Sequence, residues 1–149
     1  MKYTLSIIGV ILLFSCNSND SKTTSTKESK PQSSSSVDCY RYSSSNSSIA
    51  LKVIRTNGFI TGTLEYNLAE KDRNTGTIQG EMKADLLVAD YSFESEGTKS
   101  IRQVAFKKDG DGFVEGYGDV ETKDNRVRFK NIDSLQFNNE IKLDKVDCK

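Results

Sequence analysis

Apolar and polar residues alternate with a period of two along most of the chain after Val37. Arg126-Val127-Arg128-Phe129-Lys130 places charged side chains on one face and apolar ones on the other, the pattern of a half-buried antiparallel strand. Ile60, Gly62, Leu64 and Tyr66 do the same against Thr61, Thr63 and Glu65. The pattern continues through Ile78, Gly80 and Met82, then Leu87, Ala89, Tyr91 and Phe93, then Arg102, Val104 and Phe106, and ends with Ile141 and Leu143. Residues that accept a positive φ separate these runs: Asn57-Gly58, Asn74-Thr75-Gly76, Glu96-Gly97, Asp109-Gly110-Asp111-Gly112 and Asn138-Asn139. Leu68 to Arg73 has a helix-compatible composition but is long enough for one turn only. The prediction is an all-β domain with no substantial helix.

A barrel fits this pattern better than a sandwich. Consecutive hairpins close readily into an antiparallel up-and-down barrel, whereas a Greek key needs long cross-connections that the chain lacks. Gly62, Gly80, Gly116 and Gly118 are predicted to face the interior, where strands of a small barrel bend sharply. The expected number of strands is about eight, a size whose interior holds either packed side chains or one small ligand.

The N-terminus reads differently. Lys2 precedes an apolar run of Leu5, Ile7, Ile8, Val10, Ile11, Leu12, Leu13 and Phe14, which has the length of a signal peptide and falls short of a membrane span. Leu13-Phe14-Ser15-Cys16 resembles the lipobox of bacterial lipoproteins, although Phe14 stands where a smaller residue is usual. The resemblance implies cleavage after residue 15, a diacylglycerol thioether on Cys16 and acylation of its new amino group. Several acyl chains at ~0.8 kcal/mol per buried methylene amount to permanent anchoring. Asn17 follows the cysteine in place of an inner-membrane retention aspartate, so the resemblance favours the outer membrane, in either leaflet. Residues 17–36 hold Ser, Thr, Lys and Asn with one Pro31 and no aliphatic or aromatic side chain. Such a segment cannot offset the entropy of ordering, and is predicted to be a tether with a coil span on the order of 25 Å. The expected organisation is therefore signal peptide 1–15, lipidated cysteine and tether 16–36, and barrel domain 37–149.

Cys39 and Cys148 remain, one at each end of the domain, in a compartment that permits disulfides. A bridge between them requires the first and last strands to lie side by side, with Cα atoms roughly 4.4–6.8 Å apart. Neither a close Cys-x-x-Cys nor helper ligands favour a metal or redox site.

Composition then removes whole classes of chemistry. The chain of 149 residues contains no histidine, which excludes Ser-His-Asp, Cys-His and His-zinc sites. Four of the 21 basic and two of the 21 acidic residues precede Val37, so the domain carries a net charge of −2 and no footprint for nucleic acid. An EF-hand loop starting at Asp109 would need an oxygen ligand at Phe113 and a glutamate at Val120, so that segment is read as a tight turn. The carboxylate pairs Glu94 with Glu96 and Glu115 with Asp119 lack the cleft and contrasting environments of an acid–base pair. The expectation is a protein without catalytic residues, metal or cofactor.

One group of side chains could form a site. If Leu87, Ala89, Tyr91 and Phe93 face inward, their hairpin partner turns Arg102 inward as well, and Glu115 on the next strand can pair with it. Tyr117 would share that face. Tyr91, Arg102, Glu115 and Tyr117 are therefore the candidate ligand-binding residues, lining a polar pocket in the barrel mouth. The lipobox, serine tether and Tyr91 to Arg102 segment are similar to those of small lipid-anchored β-domains in Gram-negative envelopes, and the meander resembles a calycin or lipocalin barrel. That resemblance implies a membrane-tethered chain that binds a small molecule or an envelope protein. Three roles are compatible with it. The first is ligand binding inside the barrel, which predicts an apolar cavity. The second is presentation of Ser43 to Ser48 or Asn67 to Thr75 to a protein partner, as in lysozyme-inhibitor lipoproteins. The third is a passive envelope component.

Overall fold

A computed structural model describes residues 35–95 and 97–149. The signal peptide, Cys16 and the tether as far as residue 34 lie outside the described residues. Ten strands follow in order: β1 (Ser35–Ser43), β2 (Ser48–Thr56), β3 (Phe59–Asn67), β4 (Asn74–Lys83), β5 (Leu86–Ser95), β6 (Thr98–Asp109), β7 (Gly112–Tyr117), β8 (Val120–Lys123), β9 (Arg126–Phe129) and β10 (Gln136–Val146). The only helical element among the described residues is a single 3-10 turn, Ile132–Ser134. Strand β1 already includes Ser35 and Ser36, which their composition had placed in the tether. Pairing with Thr56 and Arg55 of β2 gives these two serines backbone partners and holds them in the sheet.

Strands β1 to β7 form an antiparallel meander, each paired with the next. The final strand, β10, lies between β7 and β1 and is antiparallel to both, which closes an eight-stranded barrel. Cys39 is opposite Val146 in the β1–β10 ladder, and its disulfide to Cys148 spans a Cα separation of 5.2 Å. The expected juxtaposition of the first and last strands is therefore present. Strands β8 and β9 form a hairpin outside the barrel, attached to β6 by one parallel bridge between Arg102 and Val127.

Alternation explains the core. Ile49, Leu51 and Val53 on β2, Ile60, Leu64 and Tyr66 on β3, Leu87, Ala89 and Tyr91 on β5, and Val104 and Phe106 on β6 all point inward. Tyr40, Ile78, Phe113 and Leu143 complete the packing, and Tyr40 meets Phe113 edge-on with ring centroids 4.8 Å apart. The interior is thus filled by large side chains, several of them wholly buried. Gly62 lies on this inner face, where a Cβ would run into the Lys52 carbonyl oxygen of β2, so the strands can cross closely only with glycine there.

Several sequence expectations need correction. Gly116 faces outward, because it pairs with Ala105 and Phe137 on the outer side, and the Phe137 ring covers it. Gly118 lies beyond the end of β7, against Leu135. Arg126 to Lys130 alternates as read, and Val127 and Phe129 are half-buried, but the antiparallel partner of β9 is β8 and the hairpin lies outside the barrel. Asn138 and Asn139 make no turn; they sit in β10 where its register with β7 shifts between Phe137 and Lys142. Asn74 to Gly76 begins β4, and the connection before it contains Glu70 with φ 58°. Asn57-Gly58 does turn the β2–β3 hairpin, with φ of 50° and 86°.

The disulfide closes a loop of 109 residues. Reduction, or the Cys39→Ser/Cys148→Ser double variant, is expected to lower unfolding free energy by ~4–5 kcal/mol, read from urea midpoints with and without reductant. An unchanged midpoint would show that the β1–β10 ladder needs no covalent support.

Candidate functional site

Antiparallel strands bring the end of β3, the start of β4, the end of β5, the start of β6 and the end of β7 to one rim of the barrel. Inward-facing residues at that rim are Tyr66, Tyr91, Phe93, Arg102, Glu115 and Tyr117, with Asn74 at the head of β4 beside Tyr66. Glu115 is the one buried charged residue among those described, 5% exposed. Its Oε1 accepts a hydrogen bond of 2.6 Å from the Tyr66 hydroxyl, and its Oε2 one of 3.0 Å from the Tyr117 hydroxyl. Tyr117 forms the outer edge of the cluster and is 46% exposed.

Arg102 takes a different partner from the one expected. Among the described residues it forms no ion pair with Glu115. Its guanidinium carbon lies 4.9 Å from the Tyr66 ring centroid, 5.5 Å from Tyr91 and 5.6 Å from Phe93. Tyr91 and Phe93 stack with centroids 4.8 Å apart, so the cation sits against a wall of three rings. Register accounts for this: Tyr91 and Arg102 are directly paired across β5 and β6 and must share a face.

Electrostatics follow from burial. Desolvation raises the Glu115 carboxyl above its ordinary 4.5, while the Tyr66 and Tyr117 hydroxyls and the Arg102 charge pull it back down. Burial also raises the Tyr66 phenol well above its usual range, reinforced by the adjacent carboxylate, and Tyr117 is raised for the same two reasons. Tyr91 is pushed up to about 12 by burial, with the Arg102 charge opposing. All three phenols therefore stay protonated at neutral pH, and those of Tyr66 and Tyr117 act as donors to Glu115. Three buried polar atoms at this rim, Asn74 Oδ1, Tyr91 Oη and Arg102 Nε, have no hydrogen-bond partner. Such atoms are costly in a filled interior and mark where a ligand would gain most.

The four sequence candidates thus lie on one rim, in two linked pairs: Glu115 with Tyr117, and Arg102 with Tyr91. Tyr66 joins the pairs, since it donates to Glu115 and lies against Arg102. The strand pattern assigned Tyr66 and Phe93 to the core and Asn74 to a turn, so neither the second donor to Glu115 nor the third ring was read as part of the site. Tyr66 carried a usable signal: a buried tyrosine at a strand end needs a partner for its hydroxyl. Two loops flank the rim, and the Ala69 N–H donates to Ser47 Oγ at 2.9 Å, tying the β3–β4 connection to the β1–β2 turn. The opposite end of the barrel carries Asp38, ion-paired with Arg55 and, at 2.8 Å, with Lys145.

No protein-family model matches the chain, and comparison with curated proteins and with solved structures returns no match.

Tyr66→Phe leaves Glu115 Oε1 without its donor in a buried site, and is expected to cost ~1–3 kcal/mol in urea unfolding. Tyr117→Phe should cost less, because water can reach that oxygen's exposed neighbour. A carboxyl whose pKa is higher folded than unfolded stabilises the fold below its ordinary value, and that contribution disappears as pH rises from about 4.5 through the folded value. Glu115→Gln should therefore lose less stability than wild type over that rise. Asp38 acts oppositely: its hydrogen bond from Lys145, opposed by burial and aided by Arg55, lowers its pKa, so its contribution is present above 3.8 and lost on acidification. Parallel wild-type and Glu115→Gln curves would show that Glu115 is solvated.

Proposed function

We propose that this chain is a lipid-anchored envelope protein whose barrel binds its ligand at the Tyr91, Arg102, Glu115 and Tyr117 rim. The observation that carries the reading is the filled interior together with buried polar atoms at the rim, Asn74 Oδ1, Tyr91 Oη and Arg102 Nε, that are the ones without a hydrogen-bond partner among the described residues. An eight-stranded barrel has room for side chains or for a ligand, and here aromatic and aliphatic side chains occupy that room. A ligand therefore meets the rim, with Tyr117 as its first contact and the Arg102 guanidinium behind it.

Leu13-Phe14-Ser15-Cys16 and the serine-rich stretch after it support the anchor. The chain enters the barrel at Ser35, at the end opposite the rim. A tether attached there leaves the rim free to face away from an outer-membrane leaflet. A protein partner is favoured by one further observation, the Ser47–Ala69 link, which holds two flanking loops together as a single protrusion. In that version the loops act as in an inhibitor, and the rim supplies the polar contact.

Two substitutions test the proposal in cells of a Gram-negative host. Cys16→Ser should abolish incorporation of labelled palmitate and release the protein from the membrane fraction. A photo-crosslinking side chain at Tyr117 should yield a discrete adduct that the same group at Val146 does not. Palmitate labelling of the Cys16→Ser chain would overturn the anchor, and identical adducts from both positions would overturn the rim.

A further inference from the structure

The outer wall carries a cleft that the rim does not use. Register places Phe59, Glu81 and Val88 in one outward row across β3, β4 and β5, and Thr61, Gln79, Asp90 and Gln103 in the next row, which reaches β6. The β8–β9 hairpin and the 3-10 turn stand over this wall. The hairpin is held by Arg126 donating to Asp90 at 2.8 Å and by the Phe129 N–H donating to Gln103 Oε1 at 3.2 Å. Between hairpin and wall is a cleft of about 770 Å³, lined among others by Phe59, Gln79, Val88, Gln103, Arg128 and Ile132.

The chemistry of the lining narrows the occupant. Strands β4, β5 and β6 are paired in unbroken register along the wall, so their backbone offers no free edge for an extended peptide. Recognition there must use side chains. Charges of both signs line the cleft: Lys83 is paired with Glu81 at 2.6 Å and Asp90 with Arg126, and the two left over, Arg128 and Asp133, are of opposite sign, so no net charge favours an ionic ligand. Free of such pairing among the described residues are the Gln79 amide, the Gln103 Nε2 donor, the Arg128 guanidinium and the Asp133 carboxylate, a set of donors and acceptors with both signs of charge. Phe59 is 72% exposed, the most exposed large apolar side chain among those described, and supplies a flat apolar surface beside these planar polar groups. One apolar face with hydroxyl-binding amides around it matches a pyranose ring, which presents C–H bonds on its face and hydroxyls at its edge.

We propose that this cleft binds a neutral oligosaccharide, with a sugar ring on Phe59 and its hydroxyls held by Gln79, Gln103 and Arg128. The site shares no residue with the rim, so either can fail without the other. Titration of the full chain in detergent micelles with a β-1,4-linked N-acetylglucosamine hexamer, followed by amide NMR, tests it. Shifts should centre on Phe59, Gln79, Val88, Gln103 and Arg128. Phe59→Ala should weaken binding by about tenfold while leaving the unfolding midpoint unchanged, because the ring is exposed. Glu115→Gln should bind as wild type does. The proposal is overturned by an absence of shifts at millimolar sugar, by shifts centred on the rim, or by wild-type affinity in Phe59→Ala. A response at Phe59 to phosphatidylglycerol vesicles but not to the sugar would also overturn it, by making the wall a lipid contact.

Discussion

Closure by β10 is the constraint on which the rest of the structure depends. Seven strands in a meander leave two open edges, β1 and β7, each with unpaired backbone groups. The chain first leaves the sheet as the β8–β9 hairpin, then returns so that Lys142 and Leu143 pair with Val114 and Phe113 while Lys145 pairs with Tyr40. One strand thereby satisfies both edges. The register shift between Phe137 and Lys142 lets β10 bend to do this, and the Cys39–Cys148 bridge fixes the result beside the last ladder pairs.

Closure at eight strands sets the interior diameter, and the interior diameter sets where binding can occur. Tyr40, Phe106 and Phe113, with their aliphatic neighbours, leave the middle of the barrel to hydrocarbon. Polar side chains that face inward are pushed to the two ends, and the ends differ. Asp38 is met by two cations, Arg55 and Lys145, in a partly exposed setting where water shares the load. Glu115 is met by two neutral hydroxyls in a buried setting, while the nearby cation lies against aromatic rings. The first arrangement is a satisfied ion cluster. The second retains unused hydrogen-bonding capacity at Asn74, Tyr91 and Arg102, which is why the proposed site lies there.

Much of the fold was legible because a two-residue period needs no long-range information. Ile60 to Tyr66, Leu87 to Phe93 and Val104 to Phe106 faced inward as their alternation required, and the terminal cysteines correctly implied adjacent first and last strands. What alternation cannot give is which object a strand covers. Val127 and Phe129 alternate like core residues, yet β9 lies outside the closed barrel and leaves them only half-buried, and Gly116, set between the inward Glu115 and Tyr117, faces out with the Phe137 ring packed on it. The site was half legible for the same reason. Pattern placed Tyr91, Arg102, Glu115 and Tyr117 on inner faces but could not set their heights, and the Tyr66–Glu115 bond joins residues 49 positions apart. Opposite charges on neighbouring strands suggested an Arg102–Glu115 pair; three aromatic rings and two hydroxyls compete for those groups, and only the assembled barrel brings them into reach.

Closure itself is open to direct measurement by cross-strand NOEs on either side of β10. The account predicts contacts between Tyr40 and Lys145 on one side and between Phe113 and Leu143 on the other, in the same molecule and under oxidising conditions. Absence of either set would mean an open sheet, and would contradict both the filled interior and a binding rim at its end.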